Sequence, residues 1–304
     1  MQFMANVKTR FIFPIFSIFA LSYLLYLFYD HSHQGNEWNE DFVIAKSLIA
    51  EKEEFTGVLL GGSNVVFSLS ANQLNNETKF KWFNFGLSSE AFTDENYWRF
   101  IKENIDSKKR DKVEVVVYSS IAFLVSGYLK SREQEVIGLY GDRPMRGLPN
   151  SSLASRIQSR IQNANSISIP NYPLPKEAGD FNFDLKECIP YYKAVFEREL
   201  DLIKVEKWLV AQTNFMKTLF QNAQIIIVIP SEYYGNTFDE RTVNQVNKNV
   251  TTIVTERLGS SVELLIQKPL KTRDITCDAK HHTNAAGREI RTQDLAIWLV
   301  DNLN

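Results

Sequence analysis

Short apolar runs recur along the chain, and a glycine, serine or proline closes each of them or follows soon after. They are rich in branched and aromatic side chains, as the buried strands of parallel sheets are. The runs are Val58–Leu60, Trp82–Phe85, Val113–Tyr118, Ile225–Ile229 and Val262–Ile266. This pattern predicts a sheet whose strands are covered on both faces.

Longer stretches with helical periodicity lie between and after these runs. They are Glu90–Ile105, Phe196–Gln221, Glu240–Leu258 and Asn284–Leu303. Strands that alternate with helices of this length are typical of βαβ units. We therefore expect an α/β fold, a three-layer α/β/α sandwich with a mainly parallel, flavodoxin-like sheet and a ligand crevice at the carboxyl ends of its strands.

The first residues of the chain differ from the rest. Residues 11–29 contain no charge and are long enough for a helix to cross a bilayer. Lys8 and Arg10 precede this stretch and Asp30 follows it, so the positive-inside rule places residues 1–10 in the cytoplasm. A cleaved signal peptide and a buried core helix are the alternatives, but the stretch lacks a small-residue cleavage site and any polar face.

The remaining chain is then expected to lie outside the cytoplasm, which means the periplasm if the cell is Gram-negative. Residues 30–39 read as a polar linker and residues 40–304 as one α/β domain. Within that domain, residues 138–179 are richer in Gly, Pro, Asn and Ser. We expect this segment to form an insertion over the crevice rim or a partner surface.

Composition changes this picture mainly by exclusion. The 304 residues are 44% apolar, with 34 basic and 36 acidic side chains and a formal net charge of −2. This balance is sufficient for a sizeable core and argues against nucleic acid as the main partner. Two cysteines, Cys188 and Cys277, exclude a disulfide-dense or cysteine-rich metal protein. Whether these two pair after export is left open by the sequence.

Candidate chemistry begins where the first predicted strand ends, at Gly61-Gly62-Ser63-Asn64. A serine at the start of a helix has its hydroxyl near backbone N–H groups and a positive helix end. Both features favour an attacking oxygen and the oxyanion that it produces. The glycines permit a tight turn and the close approach of a substrate carbonyl. The same residues also fit an ordinary turn with Ser63 as a helix N-cap.

A nucleophilic serine needs a base, and the chain has four histidines. Two of them, His281 and His282, directly precede the last predicted helix, and Asp278 stands just ahead of them. A carboxylate in that place can orient an imidazole and stabilise its charged form. A solvated polar loop that caps the helix is the alternative. A metal site with Cys277 is a further one, although contiguous donors on one loop rarely surround an ion.

Taken together, these motifs resemble the SGNH (GDSL-type) hydrolase superfamily. Gly62-Ser63-Asn64 stands where that family has its Gly-Asp-Ser block, and Asn84-Phe85-Gly86 is similar to the second block, whose glycine lends an oxyanion N–H. The usual Asp-x-x-His spacing would select His281 as the base. Membrane-anchored members resemble this chain more closely through the segment from His282 to Thr292, and that version selects His282.

The family's third block, Gly-x-Asn-Asp, is missing, because Ser119-Ser120-Ile121 follows the third predicted strand. Ser119 or Ser120 could replace the absent asparagine, since a hydroxyl also donates a hydrogen bond. Loss of one oxyanion donor costs about 10²–10³ in turnover. The resemblance therefore implies Ser63, Gly86, Ser119 and Ser120 as the oxyanion donors.

The same resemblance implies a function. Ser63 would be the nucleophile, His282 the base with His281 as the alternative, and Asp278 the orienting acid, with no metal and no cofactor. Anchored members of this kind are linked to modification of bacterial surface polysaccharides. We therefore expect an O-acetyltransferase or O-acetylesterase that acts on a glycan, with a membrane-bound acyltransferase as a further partner. A non-catalytic anchored scaffold or glycan-binding subunit is the alternative, supported by the missing asparagine.

Overall fold

The computed structural model describes residues 37–87, 94–120, 175, 177–181, 202–230, 240–270, 272–276 and 282–303. Its centre is a sheet of five parallel strands in the order β2-β1-β3-β4-β5. The strands are β1 (Gly57–Gly61), β2 (Trp82–Asn84), β3 (Val115–Ser119), β4 (Gln224–Ile229) and β5 (Val262–Ile266). The α/β class and the parallel sheet predicted from the sequence are confirmed.

Helices connect the strands and cover the sheet. They are α1 (Glu37–Lys52), α2 (Ser63–Ser68), α3 (Ala71–Glu77), α4 (Asp94–Asn104), α5 (Ser107–Arg110), α6 (Leu202–Leu219), α7 (Glu240–Ile253) and α8 (Ala285–Leu303). Short 3₁₀ turns occupy Glu177–Gly179 and Arg273–Ile275, and a π-helical turn, Val254–Leu258, extends α7. Among the described helices, none combines the length and the apolar character that a bilayer crossing requires.

Successive strand residues point to opposite faces of the sheet, and both faces are buried. In β3, Val116 and Tyr118 belong to one apolar cluster, whereas Val115 and Val117 belong to another. The first cluster includes side chains of α1, α4, α6 and α7, and the second includes side chains of α2, α3 and α8. The described residues therefore form three layers, with helices on each side of the sheet.

The strand order reverses direction between β1 and β3, which lie side by side. In open parallel sheets, such a reversal leaves a crevice at the carboxyl ends of the two strands. Gly61 at the end of β1 is in register with Ser119 at the end of β3. The turn that carries Ser63 therefore leaves the sheet where this topology provides room for a ligand.

Several element boundaries differ from the predicted ones, and the helices α1, α3 and α5 were not predicted. The predicted strand Val113–Tyr118 begins two residues later and extends to Ser119, because backbone pairing with Gly61 continues past the apolar run. The helix α1 begins at Glu37, inside the segment predicted as a linker, and α3 follows α2 almost at once. The end of the segment predicted as an insertion, Glu177–Gly179, packs against β2 at the edge of the sheet.

Candidate active site

The turn that presents Ser63 has strict backbone requirements. Gly61 has a φ of 145°, and a Cβ there would lie 1.9 Å from the carbonyl oxygen of Ser119. No residue with a side chain fits so close to the neighbouring strand, so the glycine is required. Gly62 is the residue before α2, with a φ of −86°, and Ser63 begins the helix. The first N–H groups of a helix have no carbonyl partner within it, so they face the end of the sheet.

Ser63 and His282 are in direct contact. The Ser63 Oγ lies 2.8 Å from the His282 Nε2, although 219 positions separate the two residues in the sequence. Both side chains are partly exposed, so a ligand can reach them. The ring of Phe67 packs on the imidazole with 4.8 Å between the ring centroids. The structure thus brings the predicted nucleophile and the predicted base together at hydrogen-bonding distance.

The residues around His282 explain how the imidazole is held. Thr276 and Thr283 form an antiparallel bridge, which fixes the backbone next to His282. Asn284 caps α8, because its Oδ1 accepts the Gly287 N–H at 3.1 Å. A Cβ on Gly287 would lie 2.4 Å from the carbonyl oxygen of Ile275, so only glycine lets the helix start this close to the loop. The His-x-Asn-x-x-Gly pattern of the sequence therefore has a local structural cause.

The arginine and threonine positions that follow this pattern anchor α8 to the rest of the molecule. Arg288 donates to the carbonyl oxygen of Phe181 at 2.7 Å, and Arg291 donates through Nε to the Gln267 side chain at 2.9 Å. The Thr292 hydroxyl accepts the Ser70 N–H at 3.0 Å. These contacts fix the helix that carries His282 at its start.

A further hydrogen bond joins the segment that contains His282 directly to α2, the helix that begins with Ser63. The Thr283 N–H donates to the Ser68 Oγ at 3.2 Å. Thr283 directly follows His282, and Ser68 is the last residue of α2. The helix α8 also packs against both α2 and α3. The distance between the hydroxyl and the imidazole is therefore set by a rigid contact between elements, not by the two side chains alone.

The chain after β2 runs beside the Ser63 turn. The Leu87 N–H donates to the Gly61 carbonyl at 3.0 Å, which keeps the two segments parallel. A Cβ on Gly86 would lie 2.9 Å from Val65, so Gly86 sits directly against α2. The Gly86 N–H, however, donates to the Asn84 Oδ1 at 2.9 Å. The glycine predicted as an oxyanion donor is thus next to the turn, with its N–H engaged by a neighbouring side chain.

A buried tyrosine connects these two segments. The Tyr97 hydroxyl accepts the Gly61 N–H at 2.9 Å and donates to the Phe85 carbonyl at 3.3 Å. Burial raises the pKa of Tyr97 far above its ordinary value, while the hydrogen bond from Gly61 acts weakly in the opposite direction. The phenol therefore stays protonated and keeps both roles, donor and acceptor.

Two serines are predicted in place of the missing asparagine: Ser119 is the last residue of β3, Ser120 follows it, and both are buried. The Ser119 Oγ accepts a hydrogen bond from the Asn64 Nδ2 at 2.8 Å. Asn64 is itself buried, and its Oδ1 has no hydrogen-bond partner among the described residues. Ser120 is 3% exposed. Both serines thus lie at the carboxyl end of β3, but neither is exposed to a ligand.

The sequence reasoning missed a buried polar network behind this site. Lys46 of α1 is fully buried and donates to backbone and side-chain oxygens of Asn84 and Gly86. Asp180 is also buried and accepts hydrogen bonds from Ser70 and Asn84. A signal for Lys46 was present, because it stands four residues after Phe42 and four before Ala50, on one helix face.

Several predicted features lie outside the described residues. They are Asp278, His281, Cys188, Cys277 and the apolar stretch of residues 11–29. Within the described part of the chain, no three side chains of the metal-binding types form a cluster. The orienting role of Asp278, the alternative base and the membrane anchor therefore stay predictions.

Comparison with known proteins adds little to this geometry. No protein-family model and no curated protein matches the sequence. Among solved structures, the chain is similar to an acetyl xylan esterase from the rumen bacterium Butyrivibrio proteoclasticus, with 9% identity and a TM-score of 0.40 over 81% of this chain. The chain spans 64% of the length of that esterase. A second structure gives 11% identity and a TM-score of 0.38 over 84% of this chain and 98% of the other.

Proposed function

We propose that the chain is a serine-dependent acyl-transfer enzyme of the SGNH type that adds or removes O-acetyl groups on a surface or extracellular polysaccharide. The observation that carries this proposal is the 2.8 Å contact between the Ser63 Oγ and the His282 Nε2. A hydroxyl and an imidazole at this distance are the essential pair of nucleophilic serine catalysis. Their place at the carboxyl ends of a parallel sheet, partly exposed, supports a substrate site there.

The first half-reaction follows from this pair. The His282 Nε2, in the tautomer with its proton on Nδ1, accepts the hydroxyl proton while the Ser63 Oγ attacks the ester carbonyl carbon. The tetrahedral intermediate collapses when the imidazolium returns that proton to the leaving alcohol oxygen and the C–O bond breaks. The product is an acyl ester on Ser63. Asp278 is expected to accept the Nδ1–H and stabilise the imidazolium.

The second half-reaction repeats these steps with a new acceptor. His282 removes a proton from the acceptor hydroxyl, whose oxygen attacks the acyl carbon, and the Ser63 oxygen leaves with the proton from the imidazolium. Water as the acceptor gives an esterase, and a sugar hydroxyl gives a transferase. The partial exposure of both side chains accommodates either acceptor. The glycan and the acetyl group are inferred from the anchored members that the sequence resembles.

The oxyanion would be held at the start of α2. The Ser63 N–H is the first of that helix and has no partner within it, so it can donate to the developing charge. The Gly86 N–H would be a second donor if it is shared between the oxyanion and the Asn84 Oδ1, to which it donates at 2.9 Å. Ser119 and Ser120 are buried and would act on the oxyanion only after a local rearrangement.

Attachment to the membrane is part of the same proposal. An uncleaved helix over residues 11–29 would hold the domain on the outer side of the cytoplasmic membrane, near nascent or exported polysaccharide. A membrane-bound acyltransferase that passes acetyl groups across the bilayer would be a suitable donor, because the domain itself carries no cofactor motif in its sequence.

A second candidate function is supported by a specific observation. The Gly86 N–H is already bonded to Asn84, and the third family block lacks its asparagine. With the Gly86 N–H occupied and the asparagine absent, the same fold would serve as an anchored scaffold or glycan-binding subunit. The retained contact between Ser63 and His282 argues for the enzyme, because a scaffold has no need for it.

The first prediction tests the enzyme directly. A serine-directed phosphonate is expected to label the full-length wild-type chain covalently and to lose all labelling in Ser63→Ala. His282→Gln is expected to lower the labelling rate by about 10²–10⁴-fold, because the general base is lost. Intact mass spectrometry measures the adduct, and peptide mapping places it.

Two variants serve as matched controls for this experiment. Ser47→Ala removes a hydroxyl that only bonds back to Val43 within α1, and its labelling should equal that of wild type. His281→Gln should also label normally if His282 is the base. A wild-type chain that is folded by circular dichroism and takes up no phosphonate would contradict the proposal and favour the scaffold.

A further inference from the structure

A lysine is buried directly behind the turn that follows β2. The Lys46 Nζ lies 2.7 Å from the Asn84 carbonyl oxygen, 2.7 Å from the Gly86 carbonyl oxygen and 3.3 Å from the Asn84 Oδ1. An ammonium group has three N–H donors and no acceptor, so these three oxygens match it completely. The Lys46 side chain is fully buried, and no other polar role is visible for it in the described structure.

The turn that Lys46 holds is fixed at each of its polar atoms. The Asn84 Oδ1 accepts the Gly86 N–H at 2.9 Å, which makes an Asx turn, and the same oxygen accepts from Lys46. On the other side, the Asn84 Nδ2 donates to the Leu69 carbonyl and to the Asp180 Oδ1, both at 3.2 Å. These hydrogen bonds determine the orientation of the Asn84 amide. The direction of the Gly86 N–H is set in turn, because it donates to the oxygen of that amide.

This turn touches the helix of the nucleophile. Gly86 packs so closely on Val65 that an added Cβ would lie 2.9 Å from its side chain. Val65 is two residues after Ser63 on α2. A change of position in the turn is therefore transmitted to the first turn of α2, over one layer of packed atoms.

Charge and burial make the protonation of Lys46 sensitive to its surroundings. Burial lowers the pKa of the Lys46 ammonium to about 7, and the Asp180 carboxylate opposes this shift. The ring of Phe42, on the same helix, lies 4.9 Å from the Nζ and favours the cation. Tyr97 from α4 bonds to Phe85 within the turn and stays protonated, because burial raises its pKa.

We propose that Lys46 is a positioning residue for the acyl transfer, since its ammonium holds the Asn84–Gly86 turn against α2 and lets the Gly86 N–H be shared with the oxyanion. The sharing of the Gly86 N–H with the oxyanion has a physical reason. An amide oxygen that already binds a cation is a weaker acceptor for a further N–H, so the oxyanion can compete for the Gly86 proton. The inference rests on the proposed function, because it assigns the turn a part in that reaction.

Lys46→Met tests the inference, because methionine keeps the length of the side chain and removes all three donors. The matched control is Lys109→Met. The Lys109 Nζ also donates to three backbone carbonyls, those of Ala50, Glu51 and Glu53, at 2.7 to 2.8 Å, but at the far end of α1. Both variants lose hydrogen bonds from a lysine to backbone carbonyls, but only Lys46→Met loses them at the turn beside Ser63.

We expect Lys46→Met to lower kcat for p-nitrophenyl acetate by about 10–100-fold with little change in KM, which is less than the loss of an oxyanion donor itself costs, because Lys46 acts only through the turn. Lys109→Met should keep the kcat of wild type. Hydrogen–deuterium exchange of the peptide over residues 82–87 should become faster only in Lys46→Met. Equal kcat and equal exchange in the two variants would overturn the inference.

A measurement on the wild-type chain covers the case in which Lys46→Met does not fold. Above pH 7 the ammonium loses its proton, the Asn84 Oδ1 then becomes a stronger acceptor for the Gly86 N–H, and kcat should decline. A kcat that stays flat between pH 7 and pH 9 would refute the inference. A folded wild-type chain that resists the serine-directed phosphonate would refute the proposed function together with the catalytic part of this inference, whereas normal labelling with a flat kcat refutes the inference alone.

Discussion

The glycines around Ser63 are subject to different structural constraints. Gly61 is required by its backbone, because its φ is 145°. A Cβ added to Gly61 would also lie 1.9 Å from the carbonyl oxygen of Ser119. Gly86 has an ordinary backbone and is required by packing against Val65. Gly62 has neither constraint, since its φ is −86° and an added Cβ would meet only the Asn64 Oδ1 at 3.6 Å. A Gly-rich motif can thus contain positions of unequal importance.

Alanine at Gly86 and at Gly62 should therefore differ in their effect on stability. Gly86→Ala places a methyl group 2.9 Å from the Val65 side chain and should lower the free energy of unfolding by about 1–3 kcal/mol, as overpacking does. Gly62→Ala, the control, should change it by less than about 0.5 kcal/mol. Urea unfolding followed by tryptophan fluorescence measures both. Equal losses in the two variants would show that packing against Val65 is not the constraint on Gly86.

The sequence identified the pair that the structure brings into contact, Ser63 and His282, better than the residues that support this pair. Ser63 and His282 could be predicted because their motifs stand next to strand ends and helix starts, which local patterns reveal. Lys46 could not be assigned a partner, because its acceptors come from a turn 38 to 40 positions away and are mostly backbone carbonyls. Backbone acceptors leave no trace in a sequence.

At the scale of elements, the short helix α3 depends on a carboxylate from a distant segment. The Asp180 carboxylate accepts the Ala71 N–H at 2.8 Å and the Asn72 N–H at 2.9 Å, and it also binds the Ser70 hydroxyl at 2.7 Å. A negative charge at a helix N-terminus is favourable, and here it satisfies N–H groups that have no helical partner. Because Asp180 also accepts a hydrogen bond from Asn84, it connects α3 to the turn beside Ser63.

Asparagine at Asp180 should destabilise the chain. The substitution removes the charge and replaces one acceptor oxygen with a donor that faces N–H groups, so we expect a loss of about 1–3 kcal/mol in the free energy of unfolding. Asp106→Asn is the matched control. Asp106 caps α5 through the Lys108 N–H at 2.7 Å on the exposed surface, and asparagine is an equally good N-cap. Urea titrations of both variants at pH 7 give the comparison, and a control as damaging as Asp180→Asn would contradict the assigned role.

The sequence predicted strands better than helices at this scale. Branched apolar runs with a breaker behind them located all the described strands, including Val262–Ile266 with its bounds correct. The helix α1 was missed because Lys46 interrupts its apolar face, and α3 because its seven residues are too few for a periodic pattern. A helix that tertiary contacts stabilise at its end, as Asp180 does for α3, has no sufficient local signal.

At the scale of the whole molecule, burying Lys46 makes the stability of the chain depend on pH. Burial lowers the pKa of this ammonium to about 7 in the folded chain, against an ordinary value of 10.5. Between these values the unfolded chain binds a proton that the folded chain does not, so the free energy of unfolding rises with pH. The free-energy cost of burying the ammonium is absent above pH 10.5, because the amine is then neutral in both states. This cost grows as the pH falls from 10.5 to about 7, so the free energy of unfolding falls over the same range.

The measurement is the difference in the free energy of unfolding between wild type and Lys46→Met, taken from pH 7 to pH 9.5. We expect this difference to rise by a few kcal/mol, on the order of 1.4 kcal/mol per pH unit, in favour of wild type. Taking the difference cancels groups that titrate in both chains, Tyr97 among them. A difference that stays constant, or that falls with pH, would show that Lys46 is not held in the surroundings described.

The separation of Ser63 from His282 by 219 positions also affects when the hydroxyl becomes reactive. During synthesis the serine emerges long before its partner, so a half-made polypeptide carries only an ordinary alcohol at that position. The two side chains meet only after α8 has packed against α2. In the proposed reaction, the reactivity of Ser63 would therefore appear only after the last helix has been synthesised and has docked.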